Sequence, residues 1–248
     1  MPTRAVVFDL FDTLVDLTMD GLPLVQVGER KFPTTLGALH AHVTKHKEVS
    51  LEDLGDEVWE VDKQLRAPRA EAGRELPTLE RMEALAKNLG IDDPRLPAEL
   101  TATHMRLLRG QVTPLAHHPE VLEELRARGL KLAVCSNFSH SQTALRVLED
   151  AGLRWLFDAV IISDAVVWRK PRPEIFHATL ACLGVSPEET LHVGDSLKAD
   201  VGGASPLGIE TVWVTRQIPD TGAALAEHDG PAPTHVIGDL AEIATLID

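Results

Sequence analysis

Four positions in the chain carry residue types that could do chemistry together. Asp9 closes the apolar run Ala5-Val6-Val7-Phe8, Ser136-Asn137 closes a second apolar run, and Gly194-Asp195-Ser196 closes a third. Lys170 stands in the polar segment Trp168-Arg169-Lys170-Pro171-Arg172. Taken singly, each has an ordinary explanation, because Asp and Ser-Asn are common turn and cap residues and a lysine is usually a solvated charge. Taken together they make a reactive set. Two carboxylates a few ångströms apart repel unless a cation lies between them, and Mg²⁺ is commonly held by one or two carboxylates and the phosphate of a substrate. Lys170 would neutralise a carboxylate nucleophile and an anionic substrate together. Ser136 and nearby backbone N–H groups would hold non-bridging phosphate oxygens, and an aspartate nucleophile would divide the transfer into two easier steps.

The runs that end in these residues are short and continuously apolar, the habit of strands buried on both faces of a parallel sheet. Residues 5–8, 130–135, 159–162, 190–193, 210–214 and 235–237 fit that description. Helical patterns alternate with them at 119–128, 143–150, 173–183, 198–207 and 240–246. Alternation of this kind predicts an α/β fold with a doubly wound, Rossmann-like parallel sheet and right-handed crossovers. Ligands of such sheets bind at the carboxyl ends of the strands, where Asp9, Ser136 and Asp195 stand. Residues 17–114 break the rhythm with helical patterns at 34–46, 51–64, 78–89 and 97–108, separated by breakers such as Pro68, Gly73 and Pro77. The domain expectation is therefore a catalytic core of residues 1–16 and 115–248 and a helical insertion of residues 17–114, with no buried strand run in the insertion.

With order and spacing in hand, the segment Val7-Phe8-Asp9-Leu10-Phe11-Asp12-Thr13-Leu14 resembles the first motif of the haloacid dehalogenase-like hydrolase superfamily. Ser136-Asn137 resembles its second motif, Lys170-Pro171 with Pro173-Glu174-Ile175-Phe176 its third, and the stretch His192 to Ala204 its fourth. The insertion lies where that family places a helical cap. The resemblance implies that Asp9 is the nucleophile and Lys170 orients it. It implies Mg²⁺ held by Asp9, the main-chain carbonyl of Phe11 and Asp195, with Asp200 in support. Substrate contacts are expected from Ser136, Asn137, Phe11 and Thr13. One position departs from the pattern. Phosphatases of the family usually carry a second aspartate two residues after the nucleophile, and this chain has Phe11, which can neither protonate a leaving alkoxide nor activate water. At position 12 the family often has Gly, Asn or Asp, so Asp12 is not a displaced copy of that acid.

Three readings follow from the departure. The first is a Mg²⁺-dependent phosphatase of a small phosphorylated metabolite, suited to good leaving groups, with His140 or His177 as groups that could help position water. The second is a 2-haloacid dehalogenase-type hydrolase, because halide leaves without a proton and those relatives carry an aromatic residue at the same place. A phosphonate hydrolase would further need a cap lysine, for which Lys31 and Lys63 are present without a motif around them. The third is a non-catalytic ligand-binding protein on the same fold, against which intact Asp9, Lys170 and Asp195 argue. In the insertion, Arg69 and Arg74 flank Gly73 and read as a solvated loop before they read as an anion contact.

The formal charge of −14 leaves no basic face for nucleic acid. Positive charge for an anionic substrate is accordingly expected from Lys170, Arg169 and Arg172. A strand pattern starting near Arg4 and the lack of any membrane-length apolar stretch predict a cytoplasmic protein with no membrane partner, as a monomer or a homodimer. Cys135 and Cys182 both lie in apolar runs and are expected to be buried, reduced side chains.

Overall fold

A computed structural model describes residues 2–27 and 30–247. Its strands, in chain order, are β1 (Ala5–Phe8), β2 (Val15–Leu17), β3 (Leu24–Val27), β4 (Arg30–Pro33), β5 (Val112–Pro114), β6 (Lys131–Ser136), β7 (Ala159–Ile162), β8 (Thr190–Gly194), β9 (Glu210–Val214) and β10 (His235–Ile237). The chain divides into two compact units, Met1–Asp16 with Thr113–Asp248, and Leu17–Val112. The second crossing falls two residues earlier than the sequence pattern places it.

The first unit is built on a parallel six-stranded sheet in the order β10-β9-β8-β1-β6-β7. All four residues of β1 are buried, as are five of the six in β6 and all of β8, which explains why these strands read as largely apolar runs, with Thr190 and His192 the buried polar exceptions in β8. The order reverses at β1, so the ends of β1, β6 and β8 border the switch point where a ligand of such a sheet sits. The helix Pro173–Leu183 begins on its proline and stops at Gly184, which takes a left-handed conformation with φ 63. It packs Ile175, Phe176 and Leu180 against Ala133 and Cys135 of β6.

The second unit is helical, with Leu36–Val43, Leu51–Val61, Thr78–Asn88 and Leu96–Arg109 closing on a core that includes Leu39, Val43, Leu54, Met82, Leu85 and Leu100. Two features there differ from the sequence expectation. Strands β3 and β4 form an antiparallel hairpin, pairing Val25 with Phe32 and Gln26 with Lys31. Leu24 and Phe32 are exposed, so the hairpin carries no buried apolar alternation for a pattern to reveal. Pro68 was expected to break the chain, yet helical structure runs from Leu51 to Glu71. The turn ahead of it, Asp62–Arg66, is wider than an α-turn, and the Ala67 N–H donates to the Asp62 carbonyl five residues back. That widening accommodates a proline that supplies no N–H.

The cysteines also separate. Cys135 is fully buried in β6, where burial pushes its thiol up to about 11. Cys182, expected to be buried, faces outward on the helix Pro173–Leu183. Among the described residues no helix is long and apolar enough to cross a membrane.

Candidate active site

Asp9 follows β1 directly, and its N–H donates to the Val193 carbonyl of β8 at 2.8 Å, so the sheet itself fixes its backbone. Its carboxylate meets Lys170 Nζ at 2.8 Å. Lys170 is almost fully buried and also contacts Asp200 Oδ1 at 2.6 Å. Burial alone would lower the lysine pKa, but Asp200 and Asp9 outweigh it and hold the ammonium above its ordinary value. Lys170 is therefore a permanent cation beside Asp9.

Its main chain is fixed as firmly as its head. Asn137 Nδ2 donates to the Lys170 carbonyl at 2.9 Å, and the Lys170 N–H donates to Asn137 Oδ1 at 2.7 Å. Both ends of the Asn137 amide thus clamp the lysine backbone. Asn137, expected as a substrate contact, thus also positions the Lys170 backbone. Ser136, one residue earlier, is buried at the end of β6.

Asp200 is completely enclosed, and both of its oxygens are engaged. Oδ1 accepts from Lys170 and from His192 Nε2 at 2.8 Å, and Oδ2 accepts from the Ser196 N–H at 3.0 Å. Burial works to raise its pKa, but Lys170 and His192 prevail and hold it far below the usual carboxylate range. Gly194 makes room for this carboxyl, since a Cβ at that position would overlap it. Support of Lys170 is the use these contacts give Asp200.

Asp195 differs. Its pKa is pushed up to about 7, first by burial and then by the charges of Asp9, Asp200 and Asp12. Its backbone is held by Trp213, whose Nε1–H donates to the Asp195 carbonyl at 2.8 Å. One oxygen each of Asp9, Asp195 and Asp200 lies within 4.8 Å of the others. Three carboxylates against one lysine leave negative charge uncompensated, and Asp195 carries the strain of it. Hard oxygen donors with excess negative charge suit Mg²⁺, so Asp9 and Asp195 fit such an ion.

The loop after Asp9 has its own supports. Asp12 adopts φ 58, a left-handed conformation that Asp and Asn tolerate better than bulkier residues. That requirement accounts for the residue type at this position. Arg216 Nη1 donates to Asp16 Oδ2 at 2.8 Å, and Nη2 reaches the Asp12 carbonyl at 3.4 Å. Thr13 is fully buried, with a hydroxyl that has no hydrogen-bond partner among the described residues. Phe11 rests against Phe138, ring centroids 4.8 Å apart at 51°. The residue in the place of an acid is thus half of an aromatic pair.

Other expected groups are engaged elsewhere. Arg172 pairs with Glu174 at 2.6 Å and lies over the Trp168 ring, so little of its charge is available to a substrate. His140 caps the helix Ser141–Asp150, accepting from the Thr143 N–H through Nδ1, and so does not serve as a water-positioning base. In the second unit Arg69 pairs with Glu80, and Lys63 is exposed beside Glu60. A cavity of about 100 Å³ in that unit is lined by Leu36, Leu39, Val58, Met82, Arg81 and His104. Burial pushes His104 down to about 4, so it is a neutral ring there, bonded to Thr35 at 2.7 Å. Sequence places His192 inside the fourth motif without giving it a use, and Trp213, Phe138, Arg216 and His104 carry no signal of their own. His192 and Trp213 are interior strand residues, and the other three depend on partners far along the chain.

A family model for haloacid dehalogenase-like hydrolases matches residues 3–208. The glyceraldehyde 3-phosphate phosphatase of Methanopyrus kandleri is 31% identical over 215 residues, covering 86% of this chain and 84% of that protein. The (S)-2-haloacid dehalogenase of Pseudomonas putida is 31% identical over 147 residues, covering 58% of this chain and 62% of that protein. With other curated relatives the match spans about half of their length, 47% and 46% in two cases. Among solved structures, the HAD-hydrolase YfnB from Bacillus subtilis bound to magnesium shares the fold over the whole of both chains, with a TM-score of 0.61 at 22% identity.

Proposed function

Because the chain belongs to the haloacid dehalogenase-like hydrolase family, we propose that it is a Mg²⁺-dependent phosphatase of a small phosphorylated metabolite. The observation that carries this reading is the grouping of Asp9, Lys170, Asp195 and Asp200, in which Asp9 and Asp200 share one buried ammonium and Asp195 is left without that contact. Asp9 and Asp195, with the main-chain carbonyl of Phe11, would hold the ion. Mg²⁺, when bound, would neutralise charge on the carboxylates and on the substrate phosphate.

In the first step an Asp9 oxygen attacks phosphorus, and the bond from phosphorus to the leaving oxygen breaks. In the second, water attacks the aspartyl phosphate, releasing inorganic phosphate and returning Asp9 as a carboxylate. Lys170, 2.8 Å from Asp9, would hold its carboxyl in place through both steps, and Ser136 with nearby N–H groups would hold the phosphate oxygens. Phe11 supplies no proton to the leaving group, so acyl and aryl phosphates, whose oxygens leave with little protonation, are the favoured class. The relative that acts as a glyceraldehyde 3-phosphate phosphatase supports the reaction type.

A dehalogenase reading draws on Phe11 and on the Pseudomonas putida relative. Asp195 opposes it, since a carboxylate without a metal beside Asp9 repels a carboxylate substrate. The test is turnover of an aryl phosphate with and without Mg²⁺, alongside chloride release from 2-chloropropionate. Mg²⁺-dependent phosphate release is expected. Chloride release without metal, and no phosphate release with it, would reverse the assignment.

A further inference from the structure

A second group of metal-ligating side chains lies in the first unit and shares no residue with the carboxylates of the candidate active site. His117 and His118 are adjacent at the start of the helix His118–Ala127, and Asp239 precedes the short helical segment Leu240–Thr245. His117 Nε2 and Asp239 Oδ1 are 2.7 Å apart across 122 residues of sequence. One donor atom from each of the three residues lies within 4.8 Å of the other two.

His118 supplies the independent sign of a ligand. It is 1% exposed, its Nδ1 bonds the Leu14 carbonyl at 2.9 Å, and its Nε2 is buried with no hydrogen-bond partner among the described residues. Donation from Nδ1 to a carbonyl fixes the tautomer and leaves Nε2 as a bare lone pair, the arrangement of a metal-ligating imidazole with its outer hydrogen bond in place. A buried acceptor without a partner is otherwise an unreturned cost.

The setting also disfavours imidazolium. The ring is buried, and the N-terminus of a helix repels positive charge. Ser, Thr, Asp or Asn would be the usual choice at a helix start. Here His117 occupies the N-cap without making a side-chain cap bond. Of the charged groups nearby, Arg216 is already compensated by Asp16. His117 and Asp239 are both partly open to solvent, so an ion has a way in.

We infer that His117, His118 and Asp239 form a binding site for a borderline transition-metal dication such as Zn²⁺, clipping the helix His118–Ala127 to the last helical segment of the chain. Two imidazoles and a carboxylate are a ligand set that zinc takes with water in the fourth position. Tetrahedral ligands about 2.1 Å from the ion stand about 3.4 Å apart, a modest adjustment from the observed grouping. The site differs from the Asp9 and Asp195 pair, whose all-oxygen donors suit Mg²⁺.

The experiment is Zn²⁺ competition against a chromophoric chelator, on the full chain with Mg²⁺ in excess. One Zn²⁺ per chain at micromolar or tighter affinity is expected, with the intense visible spectrum of a tetrahedral site when Co²⁺ replaces it. Asp239→Asn, which keeps a cap for the following segment, and His117→Ala, at a partly exposed position, should each weaken binding more than about tenfold. Asp195→Asn should leave it unchanged. The inference is overturned if no Zn²⁺ is taken up at micromolar concentration, if His117→Ala and Asp239→Asn bind as tightly as the parent, or if Asp195→Asn abolishes uptake. None of these outcomes depends on phosphatase activity, so failure here and failure of the proposed function are separate results.

Discussion

Replacing Asp200 by Asn tests the network behind Asp9 most directly. Asp200 accepts three hydrogen bonds in a site closed to water, from Lys170, His192 and the Ser196 N–H. Asn is nearly the same size and can keep an oxygen toward Lys170 and His192. Those two bonds lose their charge assistance, about 1 kcal/mol each. The amide nitrogen then faces the Ser196 N–H, donor against donor, which strands a buried group at about 1–3 kcal/mol. The expected loss is about 3–5 kcal/mol, the range for removing one partner of a buried ion pair. Relief of repulsion against Asp195 works in the opposite direction wherever Asp195 is ionised. Because Asp195 titrates at about 7, the loss should be greater at acid pH than at alkaline pH. Urea unfolding followed by tryptophan fluorescence measures it, with an unchanged m-value as the check that the end states are comparable. Lys170→Met and the double variant complete a cycle, and the two single losses should exceed the loss in the double by about 0.5–3 kcal/mol. A loss below about 1 kcal/mol in Asp200→Asn, or strict additivity in the cycle, would refute the claim that these residues act as one buried unit.

Two further predictions concern the metal and the acid. Asp195 has a folded pKa of about 7 against about 3.9 unfolded, so without Mg²⁺ its contribution to stability is complete below the unfolded value and disappears as pH rises through the folded one. The fall is at most about 4 kcal/mol between about pH 4 and pH 7, and Mg²⁺ should stabilise the protein more at pH 8 than at pH 5; equal Mg²⁺ effects in thermal melts at the two pH values would contradict it. Phe11→Asp should raise turnover of alkyl phosphates about 100-fold, the lower range of general acid catalysis, with a smaller gain on aryl phosphates. Loss of the Phe138 contact costs about 0.5–1.5 kcal/mol, and no gain on alkyl substrates would remove Phe11 as the explanation for leaving-group preference.

The parts of this molecule that sequence makes legible are those in which one residue type has one physical use. A strand buried on both faces is mostly apolar, so β1, β6 and β8 announce themselves even with Thr190 and His192 inside β8, and a carboxylate directly after such a strand must lie at the ligand-binding edge of the sheet. The hairpin β3–β4 escapes because its apolar residues Leu24 and Phe32 face solvent and impose no period. Pro68 misleads for a related reason: its missing N–H breaks an α-turn, and the chain answers by widening the turn ahead of it. At the site, Asp9, Lys170 and Asp195 are legible by position, whereas the use of a side chain with several available partners is not. Asn137 stands at a strand end like Ser136, yet both of its amide bonds return to the Lys170 backbone.

That distinction bears on the chemistry. The groups that hold charge at the strand ends are placed by the sheet, and the groups that keep it oriented come from strand interiors, His192 and Trp213, from the end of β6, Asn137, and from the loop after β9, Arg216. Asp200 links the two sets, touching Lys170 on one side and His192 on the other. The side chain of His192 is therefore linked to Asp9 through Asp200 and Lys170, so a change there should alter the orientation of the Asp9 carboxylate. Phe11 has no comparable relay, since its described ring partner is Phe138. Under the proposed function Phe11 gives no proton to the leaving oxygen, so turnover should depend on the acidity of the substrate's own leaving group.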